Sequence, residues 1–365
     1  MKNMRLAAAI VAVLLSISPS RPCAAETNRA LIERYGLQEA REPISKHPGW
    51  RRPKLIVISG LGGIEKTLED AFPDVEFIAD RSATAASRLN EIDAVIGWCS
   101  PELLTAGKSI RWVQTLSAGV EDCVSIPAIT ERNIVLTNAQ RMGGPVIAEH
   151  VIGMMLTLTR GLDVSLAAQR ERAWTRSSRP RVAVAGKTML VVGLGGIGTE
   201  VARQAHALGM RVTATRNSNR TGPDFVAYVG LAEELAKLAA EADVIVNTAP
   251  LTPQTTGLFN AALFAKLKRT AYFINVARGG SVVTADLTEA LNKHTIAGAA
   301  LDVTDPEPLP PSDPLWSAPN LIITPHVSND SDFGIESRLE LVKENVRRYI
   351  AGEKLLSVVD VSRGY

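Results

Sequence analysis

A strand-like apolar run that meets three regularly spaced glycines constrains the fold of this chain more than any other feature. Residues 190–198 read Leu-Val-Val-Gly-Leu-Gly-Gly-Ile-Gly, so the glycines follow the spacing G-x-G-x-x-G. After them, Val201, Ala202, Ala205 and Leu208 recur at helical spacing. A strand, a tight turn and a helix in this order are typical of the fingerprint that binds a dinucleotide.

Each glycine has its own physical role in this interpretation. Gly193 allows a sharp turn out of the strand, Gly195 lets the backbone approach a pyrophosphate, and Gly198 lets the helix pack close to the strand. The free N–H groups and the partial positive charge at the helix N-terminus favour a phosphate there. The alternative is a glycine-rich turn with a structural role alone.

The residue that ends the next predicted strand bears on the choice of cofactor. Residues 211–215 form this strand, and Arg216 follows it. An NAD site usually places an acidic residue at this point, where it holds the ribose 2′-hydroxyl. A guanidinium suits a 2′-phosphate, so the sequence favours NADP over NAD as the cofactor. The alternative is a solvated basic loop over residues 216–220.

Composition narrows the class of protein. The chain has 365 residues, enough for two domains that each bury a core. An apolar fraction of 46% and a charged fraction of 21% are ordinary for a globular protein. The net charge of +2 and the absence of a basic run in the body of the chain argue against a nucleic-acid partner.

The N-terminus has the pattern of a secretory leader. Lys2 and Arg5 precede an apolar run over residues 6–15, and Cys23-Ala24-Ala25 supplies small residues for cleavage. Ten helical residues span roughly 15 Å, half of a bilayer core of about 30 Å. We therefore predict a signal peptide over residues 1–25, with no membrane span.

A cleaved leader predicts a periplasmic or secreted protein. The alternatives are a mis-assigned start codon or an apolar N-terminal tail on a cytoplasmic protein, where soluble nicotinamide cofactor is expected. Beyond the leader, Cys99 and Cys123 remain. Two cysteines do not make a disulfide framework, and both suit small core positions, so they do not decide the compartment.

Strand-like and helix-like segments alternate along the chain, which predicts an α/β protein. We expect two Rossmann-like or flavodoxin-like parallel-sheet domains with a cleft between them. The substrate-binding domain is predicted over residues 26–145 with a return over 325–365, and the nucleotide-binding domain over 146–324. The predicted strands are residues 54–59, 75–79, 94–98, 112–116, 190–192, 211–215, 243–248, 271–276, 296–301 and 321–324.

Two turns in the first domain need separate interpretations. Residues 60–65 resemble a second fingerprint but place Glu65 at the third glycine position, where a carboxylate would crowd the helix and repel phosphate. We interpret them as a structural turn. Residues 117–122 form a small-residue turn after a strand, which can present backbone N–H groups to an anion, with an ordinary turn as the alternative.

Three residues after strands of the second sheet suit a hydride transfer to a 2-keto acid. The carboxyl ends of parallel strands meet in one crevice, so Arg278, Glu307 and His326 are expected to lie together. Arg278 suits the task of holding a carboxylate and polarising the ketone. His326 suits proton donation to the developing alkoxide. Glu307 suits orienting that histidine and favouring its charged form.

With these residues in place, the sequence resembles the D-isomer-specific 2-hydroxyacid dehydrogenase family over roughly residues 54–350. The resemblance is carried by residues 117–122, 148–160, 186–198, 249–256, 275–279, 300–308 and 324–328. It implies that the family's catalytic Arg, Glu and His are Arg278, Glu307 and His326. It also implies that a turn formed by Ala118, Gly119 and Val120 binds the substrate carboxylate. The implied cofactor contacts are Gly196, Ile197, Val276, Ala277, Arg278 and Asp302. We add Pro250 and Thr255, from the loop after a predicted strand, to the cofactor contacts.

The resemblance sets the expected function. It implies an NAD(P)-dependent oxidoreductase that interconverts a small 2-keto acid and its D-2-hydroxy acid, similar to glyoxylate and hydroxypyruvate reductases, and a homodimer. Arg216 resembles the NADP-preferring members. No metal is expected. The alternative is a catalytically weak NAD(H)-sensing interaction protein of the same fold, because a fold and a cofactor site do not prove catalysis.

Overall fold

A computed structural model describes residues 24–60, 63–81, 83–176, 178–332 and 334–364. Most of the predicted signal peptide, residues 1–23, lies outside the described residues. Leu61 and Gly62, in the turn over residues 60–65 that we interpret as structural, also lie outside them. In the described part of that turn, the Gly63 N–H donates to the Glu65 carboxylate at 2.7 Å. A helix begins at Glu65.

The first sheet has five strands, all parallel, in the order β2-β1-β3-β4-β5. The strands are β1 (Leu55–Ser59), β2 (Glu76–Ala79), β3 (Ala94–Gly97), β4 (Trp112–Gln114) and β5 (Val135–Thr137). Helices α1 (Ala24–Tyr35), α2 (Glu65–Ala71), α3 (Ala83–Ser87), α4 (Pro101–Ala106), α5 (Glu121–Val124) and α6 (Pro127–Glu131) accompany them. The central strands are buried along their whole length, as expected for a sheet covered on both faces.

The second sheet has seven strands, all parallel, in the order β12-β11-β10-β9-β6-β7-β8. The strands are β6 (Thr188–Val192), β7 (Arg211–Thr215), β8 (Tyr228–Gly230), β9 (Val244–Asn247), β10 (Tyr272–Asn275), β11 (Gly298–Leu301) and β12 (Leu321–Ile323). The helices are α7 (Gly144–Arg160), α8 (Leu162–Arg170), α9 (Gly196–Ala207), α10 (Leu235–Glu241), α11 (Ala261–Phe264) and α12 (Thr284–Asn292). The strand order reverses between β6 and β9, and a ligand crevice forms at such a switch point.

These two parallel sheets confirm the predicted α/β class. Two short strands were not predicted: β5 and β8, each of three residues and each at the edge of its sheet. The third three-residue edge strand, β12, was predicted because the apolar run Leu321-Ile322-Ile323 marks it. In β5 and β8 a threonine or glycine stands in the short run, which leaves too few apolar residues for a pattern.

Helix α7 is a core helix of the second sheet. Its apolar residues Ile147, Val151, Met155 and Leu158 are buried among residues of that sheet and of α9. Within the described chain, no single helix is long and apolar enough to cross a membrane. In the part of the chain that the structure describes, one pair of helices, α7 and α8 with a bend of 73° between them, meets that length and composition, as a buried core helix of a globular protein can.

The last helix, α13 (Gly334–Ala351), packs on the first sheet. The ring of Tyr349 stacks on Trp112 of β4 with 4.8 Å between ring centroids. The buried Asn345 donates to the Gln114 side chain at 2.7 Å and accepts from the Leu356 N–H at 2.8 Å. Burial raises the pKa of the Tyr349 phenol. The C-terminal helix therefore packs on the sheet that the N-terminal part of the chain forms. The domain boundaries themselves stay predictions.

The cysteines differ from the expectation of unlinked core residues. Cys99, just after β3, and Cys123, in α5, form a disulfide across 24 positions of the chain. Closing a loop of this length stabilises a folded protein by roughly 3 kcal/mol. The disulfide links α5, which follows the predicted carboxylate-binding turn, to the segment just after β3. Spacing alone cannot predict such a pair, because nothing local brings the two residues together.

Candidate active site

The glycine-rich turn has the geometry of a phosphate cradle. Gly193 lies in the left-handed region at φ 96°, and a Cβ there would be 2.7 Å from the Cα of Ala249. A Cβ on Gly198 would lie 2.2 Å from the Gly193 carbonyl oxygen, so the helix touches the turn. A Cβ on Gly195 would meet nothing within 4 Å. The backbone at Gly195 therefore faces open space that a pyrophosphate fits, next to the N-terminus of α9.

A cavity of about 330 Å³ lies along this turn. Its lining includes the predicted cofactor residues Gly193, Gly195, Arg216, Pro250 and Thr255. The Thr255 hydroxyl donates to the Pro250 carbonyl at 2.7 Å, which holds their loop against the cavity. The shape and the backbone donors fit a nicotinamide dinucleotide. Arg363, from the C-terminal segment, also lines the cavity. It was not predicted, because it is far in sequence from the glycine-rich turn and belongs to no recognised motif.

Arg216 directly follows β7, and among the described residues its side chain is bonded only to the backbone. Its guanidinium donates to the Thr221 carbonyl at 2.8 Å. The nearby Arg220 is instead ion-paired with Glu234 and donates to the Tyr228 hydroxyl at 2.9 Å. Hydrogen bonds from Tyr228 and from the Leu231 N–H lower the pKa of Glu234 to about 2. Arg220 is thus held by a permanent anion, and Arg216 keeps donors for a phosphate.

The predicted carboxylate-binding turn leaves backbone N–H groups without an acceptor in the described part of the chain. The Ala118 carbonyl accepts from the Asn138 side chain at 2.7 Å, and the Gly119 carbonyl accepts from the Ser117 hydroxyl at 2.6 Å. In the described residues, the N–H groups of Ala118, Gly119 and Val120 have no hydrogen-bond acceptor. The carbonyls are therefore fixed and the donors are left for an anion.

Arg278 lies directly against this turn. A Cβ on Gly119 would fall 1.6 Å from Nη2 of Arg278, so a larger residue there would displace the end of the Arg278 side chain. The guanidinium faces the Glu121 carboxylate, with 3.2 Å between Nε and Oε1. The structure thus brings the predicted cation and the predicted anion-binding turn together from different sheets.

A buried polar cluster fixes the backbone that carries Arg278. Asn275, fully buried at the end of β10, accepts from the Ala277 N–H at 3.1 Å and donates to the Arg278 carbonyl at 3.0 Å. Asn247 donates to Asn275 at 3.0 Å and to Ser281 at 2.7 Å. These residues were not predicted as part of the site. The available signal was an asparagine at the end of each of two apolar strands.

His326 and Glu307 form a hydrogen-bonded pair. The distance between Nδ1 of His326 and Oε1 of Glu307 is 2.6 Å. An ionised carboxylate only accepts, so Nδ1 carries the proton and Nε2 points away from Glu307. Both side chains are partly exposed. This is the pairing expected for a histidine that is oriented by a carboxylate.

Asp302 organises the loop that carries His326. Its side chain is buried and accepts from the Thr324 hydroxyl at 2.6 Å and from the Val327 and Ser328 N–H groups at 3.0 Å each. The His326 N–H donates to the Asp302 carbonyl at 2.8 Å, and His326 has a left-handed backbone at φ 55°. The predicted cofactor contact of Asp302 stays a prediction. Its role in holding the histidine loop was not predicted.

The remaining predicted contacts border the same region. Val276 and Ala277 are buried between β10 and the Arg278 turn, and the Ala277 carbonyl accepts from Nη1 of Arg278 at 2.7 Å. Gly196 and Ile197 begin α9. Among the described residues, no three His, Cys, Asp or Glu side chains are grouped so that they could hold a metal ion.

Comparisons with known proteins agree with this geometry. Residues 152–328 match the family model described as the NAD binding domain of D-isomer specific 2-hydroxyacid dehydrogenases. A glyoxylate reductase of Thermofilum pendens is 30% identical over 280 residues, which are 76% of this chain and 80% of that protein.

Solved structures of such enzymes share the fold. A probable 2-hydroxyacid dehydrogenase of Rhizobium etli, in complex with NADP, superposes with a TM-score of 0.76 at 28% identity, covering 86% of this chain and 100% of that one. An NADPH-dependent glyoxylate/hydroxypyruvate reductase of Sinorhizobium meliloti gives a TM-score of 0.72 at 32% identity with the same coverage. The chain therefore belongs to the D-isomer specific 2-hydroxyacid dehydrogenase family and is an NAD(P)-dependent oxidoreductase of small 2-keto and D-2-hydroxy acids.

Proposed function

We propose that this dehydrogenase is an NADPH-dependent reductase of a small 2-keto acid, with glyoxylate and hydroxypyruvate as the leading substrates. The observation that carries the proposal is the contact between Arg278 and the turn at Gly119, which joins a cation to a set of free N–H groups. Relatives named as glyoxylate and hydroxypyruvate reductases support this choice of substrates.

The substrate carboxylate binds where two kinds of donor meet. The N–H groups of Ala118, Gly119 and Val120 receive it from one side, and the Arg278 guanidinium from the other. The guanidinium also polarises the adjacent ketone oxygen, where negative charge develops during reduction. When bound, the reduced nicotinamide supplies the hydride to the keto carbon.

The proton comes from the histidine pair. His326 in its charged form donates its Nε2 proton to the alkoxide oxygen, which completes the hydroxyl group. Glu307 keeps the ring oriented through Nδ1 and stabilises the imidazolium before the transfer. The reverse reaction uses the same atoms, with His326 as the base.

Removal of the proton donor or of the cation is the direct test of the catalytic assignment. We expect His326→Ala to lower kcat for glyoxylate about 10²- to 10⁴-fold, the usual contribution of a positioned acid. Arg278→Ala is expected to lower kcat/KM by at least as much, because it removes both carboxylate binding and polarisation. The loss of NADPH absorbance measures both.

NADPH binding, followed by fluorescence titration, should survive in both variants, because His326 is not a predicted cofactor contact and Arg278 is one of several. His294→Ala is the matched control, since this histidine is exposed and also has a left-handed backbone, at φ 52°. Undiminished turnover in both site variants would remove the proposed mechanism.

The preference for NADP rests on Arg216. We expect Arg216→Gln to raise the Kd of NADPH about 10- to 100-fold, the range for one lost hydrogen bond to a charged group, and to leave the Kd of NADH unchanged. Arg211→Gln, at the other end of β7, is the control and should alter neither value. An equal loss for both cofactors would show that Arg216 does not bind a 2′-phosphate.

We propose that the protein is exported. The leader pattern over residues 1–25 supports this, and a disulfide is the kind of bond that persists in an oxidising compartment. Protein from the periplasm or medium of its native cell is expected to begin at Glu26 on N-terminal sequencing and to have no free thiol. Soluble cytoplasmic protein with an intact Met1 would contradict export.

We also propose a homodimer that uses the face around α8. Leu162 and Leu166 of this helix and the nearby Trp174 are exposed large apolar residues, which favour a covered surface. Light scattering is expected to give twice the chain mass, and Leu166→Glu to shift it towards one chain. Leu208→Glu, just after the end of α9, is the control for a charge placed on another exposed leucine. A single-chain mass for the unmodified protein would refute the proposal.

A further inference from the structure

Glu121 engages the edge of Arg278 that a substrate needs. The guanidinium and the carboxylate meet through two contacts, 3.2 Å from Nε to Oε1 and 3.3 Å from Nη2 to Oε2. The third nitrogen, Nη1, donates to the Ala277 carbonyl at 2.7 Å. All three nitrogens of Arg278 are therefore engaged by the protein's own oxygens.

A bound 2-keto acid would require the same edge. A guanidinium binds a carboxylate best through two parallel N–H groups. Here Nη2 donates to Oε2 of Glu121, and Nε lies 3.2 Å from Oε1, so Glu121 occupies the edge that such a pair would use. The Glu121 carboxylate also lies beside the turn that is predicted to bind the substrate carboxylate. A Cβ on Gly119 would lie 1.6 Å from Nη2 of Arg278 and 2.6 Å from Oε2 of Glu121. Substrate and Glu121 thus compete for one cation.

The side chain, rather than the backbone, is free to give way. Glu121 begins α5, in which Cys123 is bonded to Cys99, and the Val120 carbonyl accepts from the N–H groups of Cys123 and Val124 at 2.9 Å each. The turn that supplies the N–H groups is held in place by these bonds. The Glu121 side chain is one-third exposed, so it can rotate into solvent.

We propose that Glu121 is a specificity residue that acts as an internal competitor of the substrate carboxylate at Arg278. This inference rests on the proposed reductase function. In the free enzyme the ion pair satisfies Arg278, and only a ligand that brings its own carboxylate replaces Glu121. The ion pair therefore raises the KM for 2-keto acids. It also prevents uncharged carbonyl compounds, which cannot replace Glu121, from binding to the Arg278 guanidinium.

The test compares Glu121→Gln with the unmodified enzyme. Neutralising the carboxylate weakens the competitor, so we expect the KM for glyoxylate to fall about fivefold at unchanged kcat. The Kd of oxamate, an unreactive acid with one carboxylate, is expected to fall by the same factor when titrated calorimetrically into the enzyme–NADPH complex. Glu121→Asp, whose carboxylate is one methylene further from Arg278, should give an intermediate value.

Asp122→Asn is the matched control, because it removes an exposed neighbouring charge that has no contact with Arg278 in the described residues. It should leave KM and the oxamate Kd unchanged, and NADPH affinity should be equal in all variants. An unchanged or higher KM and Kd in Glu121→Gln would overturn the proposal, since Glu121 would then merely position Arg278. If the unmodified enzyme neither reduces a 2-keto acid nor binds oxamate, the proposed function fails instead.

Discussion

The approach of the Arg278 guanidinium to the backbone of Gly119 is the contact on which the site depends. It joins the turn after β4 of the first sheet to the turn after β10 of the second. The first sheet supplies N–H donors and the second supplies the positive charge, so the two kinds of donor that suit a carboxylate come from different sheets. The buried amides of Asn247 and Asn275 keep the Arg278 backbone in position, and a buried polar group with all its partners rigidifies a site.

The loop that carries His326 is likewise held in position by a buried polar side chain, that of Asp302. A left-handed backbone at a residue other than glycine costs on the order of 1–3 kcal/mol and persists only where surrounding contacts hold it. The Asp302 carbonyl accepts from the His326 N–H, and its buried carboxylate accepts three hydrogen bonds from the neighbours Thr324, Val327 and Ser328. Arg278 and His326 thus both stand on turns that buried polar groups hold in position.

Much of the fold could be predicted because parallel strands buried on both faces are continuous apolar runs. The central strands and the glycine turn were recognised in this way. The edge strands β5 and β8 were not, because a threonine or a glycine interrupts the apolar run in each of these three-residue segments. The disulfide between Cys99 and Cys123 and the pairing of Glu121 with Arg278 were also beyond prediction, since each joins residues that only the packing of distant segments brings together.

The sequence by itself determined the α/β class and the chemical types at the strand ends. An apolar run followed by glycines, a cation, a carboxylate or a histidine can be read residue by residue, because each depends only on local spacing. Only the tertiary structure decided which donors face which acceptors. It set Glu121 on the edge of Arg278 and buried Asp302 beneath the histidine loop. The physical reason is that hydrogen bonds and ion pairs act over about 3 Å, a distance that folding sets and sequence separation does not.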